Sequence, residues 1–185
     1  VMACAQTGSG KTAFYLFGPI NAMLSQRPSK QENPAAPAVL ILGPTRELCT
    51  QIHEEAQKFT RGSPLSAGIV YGGTDYKESF RQLRGGVDIL VATPGRLQDL
   101  VERKAVSLRS IQQLVMDEAD RMLDMGFEPQ IRKILAKIPR QRQTLFFTAT
   151  WPASVRRLAS EFLRDAFQVQ IGNRDELKGN QDITQ

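Results

Sequence analysis

An α/β fold, in which a parallel sheet is covered by helices on both faces, is predicted by two features of the sequence. Short apolar runs rich in β-forming residues recur along the 185 residues, and amphipathic helical segments separate them. Strands that alternate with helices are joined by crossovers, which favours a parallel sheet with helices on both faces. Hydrophobic residues form 41% of the chain and charged residues 23%, a balance typical of a folded domain.

Seven apolar runs are predicted as strands, the first of them a stub. They are Val1–Cys4, Val39–Leu42, Ala67–Val70, Asp88–Ala92, Gln113–Met116, Thr144–Phe147 and Phe167–Ile171. Helices are predicted where apolar residues recur at helical spacing: over Ala13–Leu24, from near Thr45, after Pro129, and from a first turn that contains Pro152. The proline-rich stretch Gln26–Pro37 is predicted to be an exposed loop. Residues 1–171 therefore form one predicted domain, and residues 172–185 a polar linker.

The charge and the residue types exclude some classes of protein. The net charge of +5 permits a phosphate-rich partner without demanding one. The longest unbroken apolar run, Ala38–Leu42, is far shorter than the roughly 18 residues that a membrane span needs. Two cysteines, Cys4 and Cys49, and the single histidine, His53, do not complete a four-ligand zinc site without a carboxylate from elsewhere. Two unpatterned cysteines favour a reducing, intracellular setting.

A glycine-rich loop after the first predicted strand has the composition of a phosphate-binding loop. It consists of Ala5, Gln6, Thr7, Gly8, Ser9, Gly10, Lys11 and Thr12. Glycines let successive backbone N–H groups turn toward an anion, and the following helix adds its positive end. Lys11 would reach the β- and γ-phosphates, and the Thr12 hydroxyl would bind Mg²⁺. Ala5 stands where the strict motif has glycine, and the alternative is a glycine-rich turn that contains a lysine by chance.

Acidic residues follow the predicted strand Gln113–Met116 directly. In phosphate-loop enzymes, a carboxylate in this position holds Mg²⁺, which suits Asp117. Its neighbour Glu118 could polarise the water that attacks the γ-phosphate. The alternative is an acidic strand-to-helix turn or a helix N-cap. The predicted catalytic residues are Lys11, Asp117 and Glu118, with Thr12 and Asp117 as the metal ligands.

These residues carry a resemblance to a known family. Residues 117–120 read Asp-Glu-Ala-Asp, and the chain resembles the first RecA-like lobe of a DEAD-box RNA helicase, a P-loop NTPase. Six elements occur in the family's order: motif I at Ala5–Thr12, motif Ia at Pro44–Leu48, the GG element at Gly72–Gly73, motif Ib at Thr93–Arg96, the acidic motif at Asp117–Asp120 and motif III at Thr148–Thr150. The context Phe147–Pro152 and the ending Asn180–Gln185 most resemble the p68-type branch.

The resemblance implies ATP and Mg²⁺ as cofactors and RNA as a partner. It implies that three turns contact the sugar-phosphate backbone of one RNA strand, through Pro44, Thr45, Arg46, Gly72, Gly73, Thr93, Pro94, Gly95 and Arg96. Because such turns lie at the carboxyl ends of strands, we expect them to share an edge with the nucleotide site. Binding through phosphates would be sequence-independent and salt-sensitive. The structural alternatives are that Thr45 and Thr93 cap helices and that Arg46 pairs with an acid.

Motif III departs from the family pattern at Thr148, where serine is usual. The resemblance implies that Asp120, Thr148, Ala149 and Thr150 couple the ATP site to RNA through a hydrogen bond from Thr148 or Thr150 to Asp120. The alternative is that the threonines only pack at a strand end. Trp151 could stack on RNA or pack against the domain, and both cysteines are predicted to be small buried residues. The basic set Arg132, Lys133, Lys137, Arg140 and Arg142 could bind phosphate or form the solvated face of a helix.

The expected activity of the intact protein is RNA-stimulated ATP hydrolysis coupled to local duplex unwinding or to remodelling of RNA–protein complexes. The adenine-binding Q motif of the family and the second lobe are expected to lie outside these residues, so this fragment is expected to be inactive alone. The alternatives are an ATP-gated RNA clamp or scaffold with slow turnover and, less favoured, a P-loop kinase acting on a small molecule. We expect a monomer by default, and the short apolar runs predict no membrane association. The resemblance implies a second lobe in cis, protein partners in RNA complexes, and a place in the nucleus or cytoplasm.

Overall fold

Seven parallel strands form one sheet in the computed structural model, which describes residues 2–4, 10–26, 35–163 and 168–170. The strand order is β3-β4-β2-β5-β6-β1-β7. All six pairs of neighbouring strands are parallel. The strands are β1 (Met2–Cys4), β2 (Val39–Leu42), β3 (Ala67–Val70), β4 (Ile89–Ala92), β5 (Gln113–Met116), β6 (Gln143–Thr148) and β7 (Gln168–Gln170).

Helices connect the strands, as the alternating sequence pattern predicts. They are α1 (Lys11–Gln26), α2 (Arg46–Thr60), α3 (Tyr76–Leu83), α4 (Pro94–Glu102), α5 (Ala119–Asp124), α6 (Glu128–Leu135) and α7 (Ala153–Phe162). In the described part of the chain, no helix combines the length and the apolar character that crossing a membrane requires. The predicted fold class, a parallel sheet with crossover helices, is confirmed.

Two hydrophobic cores lie on opposite faces of the sheet. Alternate strand residues point to opposite faces, so Val39 and Ile41 enter one core while Leu40 and Leu42 enter the other. The first core is closed by α1 and α2, and the second by α3 to α7. The central strands β2, β4 and β5 are buried along their whole length, which explains why β2 and β4 read as unbroken apolar runs and why β5 is apolar after Gln113.

Several element boundaries differ from the prediction. Strand β4 begins at Ile89 rather than Asp88, and the Asp88 side chain accepts hydrogen bonds from the Ser66 backbone N–H and hydroxyl. Helix α6 begins before Pro129, and Pro152 lies at the N-cap of α7 instead of inside its first turn. Strand β6 and helix α1 each extend beyond the predicted range.

The proline-rich stretch is not an exposed loop throughout, so that prediction was wrong at its end. Ala35 is only 3% exposed, and it forms an isolated parallel bridge with Val106. Pro37 is also buried. The contact ties this segment to the connection between α4 and β5. Residues 27–34 and the predicted linker 172–185 lie outside the described residues.

Candidate functional site: the carboxyl edge of the sheet

The carboxyl ends of the strands bring the predicted site residues to one edge of the sheet. Lys11 and Thr12 begin the helix after β1, Asp117 follows β5, and motif III follows β6. These three strands are neighbours, in the order β5-β6-β1. The RNA-contact turns predicted from the sequence follow β3, β4 and β2, which are also neighbours. The edge is therefore divided into two adjacent halves that meet between β2 and β5.

A cleft at this edge has a volume of about 660 Å³. Gly10, Lys11 and Thr12 line it from α1, and Asp117 and Glu118 line it from the end of β5. Thr45 and Glu47, at the start of α2, form the wall nearest the RNA half of the edge. The predicted loop residues Ala5, Gln6, Thr7, Gly8 and Ser9 lie outside the described residues. The described residues thus bring together Lys11, Thr12, Asp117 and Glu118, which the sequence places more than 100 positions apart.

The Asp117 carboxylate is the centre of this cleft. Its side chain is 4% exposed, and its Oδ1 lies 3.5 Å from Lys11 Nζ. The same oxygen accepts a hydrogen bond of 3.0 Å from the Glu118 backbone N–H. A buried carboxylate is costly unless it is paired, and Lys11 supplies the opposite charge here. Lys11 would exchange this partner for phosphate oxygens when a nucleotide binds.

Tyr15 also reaches this centre, and the sequence reasoning did not identify it. Its hydroxyl lies 3.1 Å from Asp117 Oδ2 and 3.4 Å from Thr12 Oγ1, and the residue is fully buried. Burial, and then the negative charge of Asp117, raises the pKa of the Tyr15 phenol far above its usual range, so it stays a neutral donor. The only sequence signal was a tyrosine on the buried face of the helix that follows the loop. Nothing in the pattern pairs it with Asp117.

Glu118 is held in an unusual backbone conformation. Its φ of 51° and ψ of 52° are left-handed, which costs a residue with a side chain about 1–2 kcal/mol. It occupies the N-cap position of α5, but its side chain makes no capping hydrogen bond. Its carboxylate instead lies 3.2 Å from Arg121 Nη1 and lines the cleft. The Glu118 side chain therefore does not cap α5; it lines the cleft and pairs with Arg121.

Asp120 links the acidic motif to motif III. Its Oδ2 accepts hydrogen bonds from the Thr150 backbone N–H at 2.9 Å and from the Thr150 hydroxyl at 2.7 Å. Burial favours a higher pKa for Asp120, but the Thr150 hydrogen bonds, together with others such as that from the Arg121 backbone N–H, outweigh it and hold the pKa below its usual value. The Thr148 hydroxyl donates to the Thr150 carbonyl at 2.8 Å and is buried. The link implied by the resemblance is thus present through Thr150, and the threonines do more than pack.

The two threonines that begin the RNA-contact turns behave differently. The Thr45 hydroxyl caps α2 by accepting a hydrogen bond of 3.2 Å from the Leu48 backbone N–H. Thr93 occupies the N-cap position of α4 without capping it. Its hydroxyl accepts a hydrogen bond of 3.3 Å from the Gly72 backbone N–H instead. Thr93 therefore fixes the GG element to the turn of motif Ib.

The two arginines of these turns also differ. Arg46 is exposed, and its guanidinium lies 4.9 Å from the centroid of the Tyr71 ring, so the expected alternative of an acidic partner is not what is found. Arg96 is only 8% exposed. It donates to the Ser79 hydroxyl at 2.8 Å and to the Thr74 carbonyl at 2.6 Å, and it stacks over Tyr76 at 4.2 Å. Charge alone suggested phosphate contact for both arginines, but the Arg96 guanidinium bonds to residues of α3 and of the turn that follows the GG element.

Glycines in these turns leave the backbone open. A Cβ atom placed on Gly72 or Gly95 would meet nothing within 4 Å, and neither residue has a positive φ. Neither packing nor backbone conformation therefore requires glycine at these two positions. Only Gly73, with a φ of 81°, needs glycine for its conformation. Open glycines allow another backbone to approach closely, which is what contact with a sugar-phosphate chain needs.

Cys49, Trp151 and two residues of the basic set have surroundings that indicate structural roles. Burial raises the pKa of the Cys49 thiol to about 12, so this cysteine is an inert, buried residue. Trp151 is partly buried against the core on the α4 face. In the basic set, Arg132 pairs with Glu128 and Glu161, and Lys133 pairs with Glu102. The solvated, ion-paired helix face is therefore the better interpretation of these two residues. The described residues contain no cluster of three or more His, Cys, Asp or Glu side chains placed to hold a metal.

Comparison with known proteins gives the same picture. Residues 1–158 match the DEAD/DEAH box helicase family. The chain is 54% identical over 185 residues to DEAD-box ATP-dependent RNA helicase 14 of Arabidopsis thaliana, covering 100% of this chain and 29% of that protein. It is also 54% identical over 186 residues to the ATP-dependent RNA helicase-like protein DB10 of Nicotiana sylvestris, covering 100% of this chain and 30% of that protein. The chain thus spans just under a third of the length of these relatives.

A solved structure shares the fold. The crystal structure of the yeast DEAD-box splicing factor Prp28 matches with a TM-score of 0.85 and 36% identity. The match covers 93% of this chain and 41% of that one. The parallel sheet, the cleft around Asp117 and the sequence match over residues 1–158 agree, and the chain belongs to the DEAD/DEAH box helicase family.

Proposed function

We propose that the full-length protein is an ATP-dependent RNA helicase that couples ATP hydrolysis to local unwinding or to remodelling of RNA–protein complexes. The observation that carries this proposal is the divided carboxyl edge. The ATP cleft on β5, β6 and β1 adjoins the turns on β3, β4 and β2, and Thr45 belongs to both halves. A structural change at the γ-phosphate can therefore be transmitted to the turns that would bind RNA.

At the ATP half, Lys11 would hold the β- and γ-phosphates in place of its contact with Asp117. The protein oxygens of Asp117 and Thr12 suit Mg²⁺, which prefers hard oxygen ligands and is usually held by only one or two protein groups beside water and phosphate. When bound, Mg²⁺ would neutralise charge on the phosphates. Glu118 would accept a proton from the attacking water, because its carboxylate faces the cleft and is oriented by Arg121.

At the RNA half, contact is proposed through the exposed parts of the turns. Gly72, Gly73 and Gly95 offer open backbone, and Arg46 offers an exposed positive charge. The positive ends of α2 and α4 point to the same edge. None of these groups reads a base, so binding should be independent of sequence and should weaken with salt.

Finer assignments are part of the same proposal. The context Phe147–Pro152 supports the p68-type branch, whereas the ending 180–185 lies outside the described residues. We propose a second RecA-like lobe in cis, because this chain spans about 30% of its relatives. A place in the nucleus or cytoplasm and protein partners in RNA complexes follow from the family resemblance, and a monomer is our default proposal.

Two variants of the full-length protein test the chemistry. We expect Lys11→Ala to weaken ATP binding, because it removes the cation that would hold the β- and γ-phosphates. Glu118→Gln should keep ATP affinity and slow multiple-turnover hydrolysis by roughly 100-fold or more, the range in which general bases act. Glu54, an exposed residue of α2 that does not line the cleft, gives a matched control as Glu54→Gln.

The outcomes separate the alternatives. Normal turnover in Glu118→Gln would contradict its role as the base. Tight ATP-dependent RNA binding with slow turnover in the unchanged protein would favour the clamp over the helicase. Transfer of phosphate to a small-molecule acceptor would point to a kinase.

A further inference from the structure

The Tyr15 hydroxyl contacts the side chains of both residues that the proposed function assigns to Mg²⁺, Asp117 and Thr12. It lies 3.1 Å from Asp117 Oδ2 and 3.4 Å from Thr12 Oγ1. A phenylalanine would fill the same space and keep the ring contact with Phe147, whose centroid lies 5.4 Å away. The hydroxyl therefore adds nothing to core packing, and it would be costly to bury without partners.

The number of available protons determines the directions of the hydrogen bonds among Tyr15, Asp117 and Thr12. A tyrosine hydroxyl carries one proton and can also accept, whereas an ionised carboxylate only accepts. Tyr15 therefore donates to Asp117 Oδ2. Its oxygen is then left to accept the proton of the Thr12 hydroxyl, which directs the Thr12 lone pairs away from Tyr15.

The same contact fixes the carboxylate. With Oδ2 held by Tyr15, Oδ1 of Asp117 is the oxygen directed toward Lys11 and the Glu118 backbone N–H. The backbone on either side is also constrained, since the Gln113 side chain donates to the Tyr15 carbonyl at 3.4 Å. Tyr15 of helix α1 is thus joined to strand β5 by contacts with Gln113 at its start and with Asp117 directly after its end.

We propose that Tyr15 is a positioning residue for the metal site: its hydroxyl orients Asp117 Oδ1 and Thr12 Oγ1 so that both present lone pairs to the same Mg²⁺. This inference rests on the proposed function, because the metal role of Asp117 belongs to it. Groups that orient metal ligands from behind change metal affinity or activity by about 10- to 100-fold when they are removed.

The test is Tyr15→Phe in the full-length protein. Mn²⁺ binding in the presence of ADP is measured directly by electron paramagnetic resonance, and ADP affinity is measured separately without metal. We expect Tyr15→Phe to weaken Mn²⁺ binding by about 10- to 100-fold and to leave metal-free ADP affinity unchanged. Tyr76→Phe is the matched control, because it removes a hydroxyl that donates to Asp99 at 2.9 Å, away from the cleft. Its Mn²⁺ affinity should equal that of the unchanged protein.

Asp117→Asn separates this inference from the proposed function. Loss of Mn²⁺ binding in Asp117→Asn, with normal binding in Tyr15→Phe, would overturn the role of Tyr15 alone. A lower melting temperature of Tyr15→Phe with unchanged Mn²⁺ affinity would likewise reduce the hydroxyl to a structural role. Unchanged Mn²⁺ binding in Asp117→Asn would overturn the metal assignment itself. Should Tyr15→Phe not fold, Thr12→Val tests the same triad, and wild-type Mn²⁺ affinity in that variant would contradict the arrangement.

Discussion

Arg46 and Arg96 belong to two neighbouring RNA-contact turns but should respond differently to the same substitution. We predict that Arg96→Met destabilises the fold, whereas Arg46→Met weakens RNA binding and leaves the fold almost unchanged. Methionine keeps most of the aliphatic stem and removes the charge and the donors. The two variants are therefore matched controls for each other.

The magnitude follows from the contacts of each guanidinium. Arg96 donates to Ser79 and Thr74 and stacks on Tyr76. A hydrogen bond from a charged group contributes about 1.5–3 kcal/mol, and a cation–π contact adds about 0.5–2 kcal/mol. Since such terms do not add fully, we expect Arg96→Met to lower the free energy of unfolding by about 3–5 kcal/mol. That corresponds to a fall in melting temperature of roughly 6–20 °C for a domain of this size.

Arg46 makes only an exposed stacking contact with Tyr71. Its loss should cost about 0.5–1 kcal/mol of stability. If Arg46 contacts a phosphate, Arg46→Met should weaken binding to every RNA sequence alike and reduce the salt slope by about one. Thermal unfolding and fluorescence anisotropy of labelled single-stranded RNA at several salt concentrations measure both effects on the full-length protein. Wild-type stability of Arg96→Met, together with a reduced salt slope, would refute the assignment of Arg96 to the fold.

Two further predictions concern the same edge. Gly95→Ala should leave the free energy of unfolding unchanged or raise it by up to about 1 kcal/mol, because the added Cβ meets no neighbour. The same variant should bind RNA more weakly. An RNA affinity equal to that of the unchanged protein would show that no RNA backbone approaches Gly95. Thr150→Val removes one of the hydrogen bonds that together hold the pKa of Asp120 below its usual value. The stability that this contact provides is present above the unfolded pKa of about 3.9 and lost as pH falls through the folded pKa. Urea unfolding should therefore show a stability difference between Thr150→Val and the unchanged protein of about 1.5–3 kcal/mol at pH 7, which shrinks toward pH 3.5; a pH-independent difference would contradict this link.

The sequence predicts the elements well because the signals are local. Apolar runs and helical spacing depend on neighbouring residues, so β2, β3 and β5 have the predicted bounds. The short helix α5 has too few turns to show a period, and the buried end of the proline-rich stretch depends on Val106, 71 positions from Ala35. These features depend on contacts between distant parts of the chain.

The candidate site was predictable where a residue's type and its place after a strand determine its surroundings. Lys11, Thr12, Asp117 and Glu118 meet because the carboxyl ends of parallel strands share an edge. The surroundings of Arg96 were not predictable, because its partners lie on α3 and charge alone suggested phosphate. Tyr15 was missed for a related reason, since its partner Asp117 lies 102 positions away and an aromatic residue on a buried helix face usually signals core packing.

The central claim is that ATP and RNA act on one continuous edge of the sheet. Its most direct test is ATP turnover by the full-length protein with no nucleic acid, with single-stranded RNA, and with DNA of the same sequence. We predict strong stimulation by RNA, little by DNA, and none by either in Glu118→Gln. Turnover that RNA leaves unchanged in a protein that binds RNA would contradict the claim.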